Sequence, residues 1–154
     1  MELIWILLAV LLGWLLLKFL GGHGGIQVSR AKLGGLPPDG QLKVRGSEVR
    51  WTSAESGSFA AAWPLPSGHW VAIRVRFEPA DDVDEDDDQG YLDLTVSDRE
   101  ITTGATWTDD ISDRGLRADV EMVLEALAQH ARQSRSDKTR AAAAKRVGIR
   151  KGLD

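Results

Sequence analysis

Residues Leu3 to Leu20 are apolar apart from Gly13 and Lys18, and Gly21-Gly22-His23-Gly24-Gly25 follows at once. At a helical rise of about 1.5 Å per residue, these 18 positions reach roughly 27 Å, close to the ~30 Å hydrocarbon core of a bilayer. One membrane crossing fits the stretch, and the glycines separate it from everything downstream. Trp5 and Trp14 carry amphipathic rings suited to anchoring, and Lys18 can extend its ammonium to the headgroups while its stem stays in the apolar layer. A cleaved secretory signal fits less well, because Glu2 is the only charged side chain ahead of the apolar core and no Ala-x-Ala pattern precedes a cut. The expectation is an uncleaved transmembrane anchor over residues 1–20 and a Gly-rich hinge over 21–25. Lys18, Arg30 and Lys32 follow the span and no Lys or Arg precedes it, which predicts a cell-membrane protein with its N-terminus outside and its C-terminal domain cytoplasmic.

Past the hinge about 130 residues remain, enough for one domain with its own core. The chain has no cysteine, which removes disulfides, thiolate nucleophiles, iron–sulfur clusters and cysteine-based zinc sites from consideration. The formal net charge of -4 conceals a separation: residues 1–131 carry 11 Lys/Arg against 21 Asp/Glu, residues 132–154 carry 8 against 2. A globular domain over 26–131 and a basic tail over 132–154, partly helical or disordered, follow from that shift.

Within the domain, hydrophobic alternation argues for strands. Ile26–Leu33 has β-branched residues and ends at the turn-rich Gly34-Gly35-Leu36-Pro37-Pro38, so it reads as a first strand. Gln41–Arg45 and Glu48–Ser53 flank Gly46-Ser47, a Gly-X pair suited to a type II′ hairpin. Phe59–Trp63 stops at Pro64-Leu65-Pro66-Ser67-Gly68. In His69–Phe77, Val71, Ile73, Val75 and Phe77 alternate with Ala72, Arg74 and Arg76, predicting one buried face and one basic face. Tyr91–Val96 and Glu100–Thr108 complete the set, and Asp93 is placed to pair with Arg74 or Arg76 if the two strands are neighbours. From Leu116 the period changes: Leu116, Val120, Val123, Leu124, Leu127 and Ala131 share one helical stripe, with Ser112 or Asp113 as the capping residue. The predicted fold class is α+β, an N-terminal transmembrane helix followed by a small, mostly antiparallel sheet or partial barrel closed by one C-terminal amphipathic helix.

Chemistry is harder to find. Asp81-Asp82-Val83-Asp84-Glu85-Asp86-Asp87-Asp88 holds seven carboxylates in eight residues, and Asp82, Asp84, Asp86 and Asp88 are weak candidates for a divalent cation. The EF-hand frame fails, because with Asp84 at position one Gln89 falls where glycine belongs and Thr95 where glutamate belongs. A solvated hairpin loop is the simpler reading, and no metal or other cofactor is expected. His23, His69 and His130 have no two-histidine metal spacing, and no phosphate loop, dinucleotide fingerprint or Gly-x-Ser-x-Gly elbow occurs. Trp51, Trp63, Trp70 and Trp107 favour core positions, while Trp63 and Trp70 bracket the Pro-rich turn and are the two expected at a surface. Arg140, Lys145 and Arg146 stand beside Ala141–Ala144 in the tail, where anionic lipid or a protein partner would attract them. Nucleic acid fits less well, because no stacking aromatic is interleaved.

These readings combine into a single-pass, non-enzymatic membrane protein whose cytoplasmic domain binds a protein partner or serves as an accessory subunit of a membrane complex. Its partners would be the bilayer through residues 3–20, a protein in the membrane through Trp63, Trp70, Arg140, Lys145 and Arg146, and anionic lipid at the tail. Two alternatives stay open: an exported, membrane-tethered sensor or ligand-binding module, and a membrane-tethered hydrolase with an unrecognised site.

Overall fold

Strand alternation is realised in six consecutive strands: β1 (Asp39–Val44), β2 (Ser47–Ser53), β3 (Ser58–Pro64), β4 (Trp70–Phe77), β5 (Gly90–Val96) and β6 (Arg99–Ala105). Each pairs antiparallel with its predecessor, giving one open sheet in the order β1-β2-β3-β4-β5-β6. The computed structural model describes residues 24–53, 58–77 and 89–151. The apolar stretch with Trp5, Trp14 and Lys18, and the acidic run with Asp82, Asp84, Asp86 and Asp88, lie outside the described residues. Among the described residues no helix is long and apolar enough to cross a membrane.

On one face of the sheet, period-two burial collects Val49 and Trp51 from β2, Phe59, Ala61 and Trp63 from β3, Val71, Ile73 and Val75 from β4, and Leu92 and Leu94 from β5. A long helix, α2 (Arg114–Lys151), covers that face with Val120, Val123, Leu124 and Leu127, which join the strand side chains in one core. Fully burying each such aliphatic side chain contributes about 1.5–3 kcal/mol, so the sheet and helix hold each other. The helix starts where its cap is supplied: Asp113 Oδ1 accepts a hydrogen bond from the Leu116 N–H at 3.0 Å. Trp51 explains a close approach in β1, since a Cβ at Gly40 would overlap its ring. The indole Nε1 donates to the Pro37 carbonyl at 3.2 Å, and His130 of α2 meets the ring edge-on with centroids 5.4 Å apart.

Three sequence expectations are corrected. Ile26–Leu33 is not a strand: Gln27 and Ser29 make isolated bridges to Trp107 and Gln89, and the chain then turns into a short helix, α1 (Arg30–Leu33). Arg, Ala, Lys and Leu in succession are good helix formers, and their propensity outweighs the weak alternation before them. The β1–β2 hairpin exists, but its turn is Arg45-Gly46 with φ 47° and 85°, the doubly positive geometry of a type I′ turn, where a type II′ turn at Gly46-Ser47 was expected. The strand expected over Glu100–Thr108 ends at Ala105, and Thr108–Asp110 forms a single 3-10 turn. Register shifts against β5 and Gly104 at φ 72° take the chain off the sheet there.

Candidate functional site

The strands that bury every second side chain under α2 send the others to the opposite face. There Ala60, Ala62 and Ala72 form a low floor, and Arg50, Arg74 and Arg76 rise around it to give an open cleft of about 580 Å³. Short alanine side chains make the depression and arginines make its rim. Trp70 has the same strand parity as Ala72, Arg74 and Arg76 and is 55% exposed.

Register decides which arginines have counter-ions. Arg74 stands between Ala60 on β3 and Asp93 on β5, yet Asp93 pairs diagonally, with its Oδ2 3.1 Å from Arg76 Nε. Asp93 Oδ1 also accepts from the Gly104 N–H at 3.1 Å, which turns the carboxylate toward the β6 side. Arg50 Nε lies 2.6 Å from Glu48 Oε1 on its own strand. Arg74 has no hydrogen bond or ion pair among the described residues, and the carboxylates of Asp93 and Glu100 line the same cleft. The cross-strand contact between Asp93 and an arginine expected from sequence is present, made by Arg76. As an exposed pair it is worth only about 0–1 kcal/mol, so it shapes the surface more than it stabilises it.

The two tryptophans suspected of exposure part company. Trp70 is open, whereas Trp63 is 3% exposed and belongs to the core, because it shares the inward parity of Phe59 and Ala61. Arg140, Lys145 and Arg146 lie far along α2, on a surface separate from the cleft. The helix runs on to Lys151, but between Arg132 and Arg146 no side chain is buried, and Lys138, Arg140, Lys145 and Arg146 are exposed with no partner among the described residues. Arg132 pairs with Glu125 at 3.3 Å, and Arg135 leans toward Gly35, marking where contact with the domain ends.

His69 Nδ1 and Ser97 Oγ are 2.8 Å apart, an exposed base–hydroxyl contact at the strand ends. Catalysis by such a pair needs an orienting carboxylate and an enclosed substrate position. Neither accompanies it among the described residues, and His69 does not line the alanine-floored cleft. Among the described residues no group of three or more His, Asp or Glu is arranged to hold a metal ion.

Arg50 and Arg74 were not singled out from the sequence as site residues. The outward alternation of Arg74 and Arg76 announces a basic face, but the cleft comes from the alanines at Ala60, Ala62 and Ala72, whose neighbourhood depends on strand register. Comparison of the chain with protein-family models, with curated proteins and with solved structures finds no match.

Proposed function

We propose that this chain is a non-enzymatic, membrane-anchored binding subunit whose outer sheet face takes a partner protein presenting carboxylates. The observation that supports this reading is Arg74, a guanidinium on the rim of an open cleft with no ion pair among the described residues, with Trp70 exposed on the same strand face. Arginine and tryptophan are the side chains that most often dominate binding at protein interfaces. Six strands of up to 8 residues, spaced about 4.8 Å apart, give a face on the order of 600 Å², near the ~800 Å² per partner of a standard interface. The cytoplasmic placement of this face rests on the apolar Leu3–Leu20 stretch and on Lys18, Arg30 and Lys32 after it. Membrane confinement raises the effective concentration of any partner held there, so a modest face suffices.

The test is purification of the full chain from native membranes in mild detergent. The wild type is expected to carry a stoichiometric partner, and Arg74→Glu to lose at least about tenfold of it, the consequence of a central contact worth more than about 1.4 kcal/mol. A lone monodisperse monomer from both would end the proposal. Cleavage of the C-terminal domain by protease added to intact cells would instead favour the exported arrangement.

A further inference from the structure

From Ser136 to Arg146 α2 is a charged helix whose side chains are exposed among the described residues. In the first half, the stripe facing the sheet runs through Val120, Leu124, Leu127 and Ala131. Carried forward at 3.6 residues per turn, the same stripe continues through Ser134, Lys138, Ala142 and Lys145, so the apolar seam becomes a cationic one where the sheet ends. Arg140 and Arg146 widen the charge, and the basic residues of 132–146 together span about 220° of the helix circumference. Eight Lys/Arg against Asp137 over 20 residues make an arm roughly 30 Å long.

We infer that this arm lies on the surface of an anionic lipid bilayer. A protein groove that receives a helix reads apolar anchors at i, i+3, i+4 and i+7, and between Arg132 and Arg146 the arm offers only alanines among its charges. A single-stranded nucleic-acid site adds aromatic platforms to its cations, and residues 132–154 contain no aromatic. A lipid surface asks only for positive charge within reach, spread widely enough that no one rotation of the helix is required. Lys138, Arg140, Lys145 and Arg146 are exposed and have no partner among the described residues. The inference rests on the membrane placement proposed above: Leu3–Leu20 would bring the bilayer to the arm, leaving only local attraction to orient it.

Because the chain has no cysteine, Ala143→Cys places a single fluorophore on the exposed arm. The labelled full chain is mixed with vesicles of phosphatidylcholine alone, or of phosphatidylcholine with about a third phosphatidylserine, each carrying a headgroup-linked quencher lipid. The expected result is several-fold stronger quenching in the anionic vesicles. It should be lost at 1 M salt, where the screening length falls to about 3 Å. Reversing Lys138, Lys145 and Arg146 together to Glu should return quenching to the neutral-vesicle level, as removing each cation weakens surface attraction about fivefold. Helicity by circular dichroism in that variant verifies that the fold persists. Equal quenching in both lipids, or a salt-resistant signal, overturns the inference. So does duplex DNA that displaces the arm from anionic vesicles at equal charge. Flotation with neutral vesicles reads the anchor separately, so a failed anchor and a failed arm give different results.

Discussion

Thr108 is the one fully buried polar residue of the described core, and its hydroxyl joins three parts of the chain. Its Oγ1 accepts from the Ile26 N–H at 2.7 Å and donates to Glu121 Oε1 at 2.7 Å, tying the segment after Gly25 to the first turns of α2. Replacing that hydroxyl by a methyl removes the acceptor of the Ile26 N–H and leaves Glu121, among the described residues, with its 3.9 Å contact to Arg117 Nε. Thr108→Val is expected to destabilise the domain by about 1–3 kcal/mol, and Thr108→Ser by less, in thermal unfolding of the full chain. An equal loss in both would mean that packing, not the hydroxyl, matters. None of this is legible in the sequence, where Thr108 reads as the polar end of a strand; its role depends on residues 82 and 13 positions away.

Turns and the helix set the element scale. Arg45 holds φ 47° and Ser97 φ 48°, left-handed backbone in which a residue other than glycine, asparagine or aspartate costs about 1–2 kcal/mol. Arg45→Asn is expected to raise stability by about 0.5–1 kcal/mol by creating the Asn-Gly pair that type I′ turns favour, while Arg45→Val lowers it. Midpoints of thermal unfolding check both directions. The strands themselves are readable before any coordinates: Val71, Ile73 and Val75 alternate cleanly, and β4 lies where that pattern places it. Parity also contained the fate of Trp63, in step with Phe59 and Ala61, but the adjacent prolines drew attention to the turn. Gly148 is a poor helix former, yet α2 reaches Lys151. The packed half already meets the cost of nucleation, and Ala141–Ala144 with Arg and Lys propagate it cheaply.

For the whole molecule, burial divides α2 into a structural half and an exposed half, with the change at Ala131. Ending the chain after Ser136 is expected to shift domain stability by no more than about 0.5 kcal/mol, the range of surface changes. Ending it after Leu124 removes Leu127, Ala128 and Ala131 from the core and should abolish cooperative unfolding. Calorimetry of the two truncated chains beside the wild type decides this, and a large loss on removing the arm alone would show that it packs on the domain. The division of charge near residue 131 was visible in composition. The outer cleft was not, since its floor and rim are assembled from strands whose relative register no single stretch of sequence reveals.

The meander has a temporal meaning as well. Every strand finds its partner in the segment made just before it, so the sheet can be laid down in the order of synthesis. Its apolar side, by contrast, waits for Val120–Ala131, the last part of the core to leave the ribosome. Until then Val71, Ile73, Leu92 and Leu94 form an uncovered apolar plate, and the interval before the helix docks is when aggregation is the greatest hazard for the folding chain.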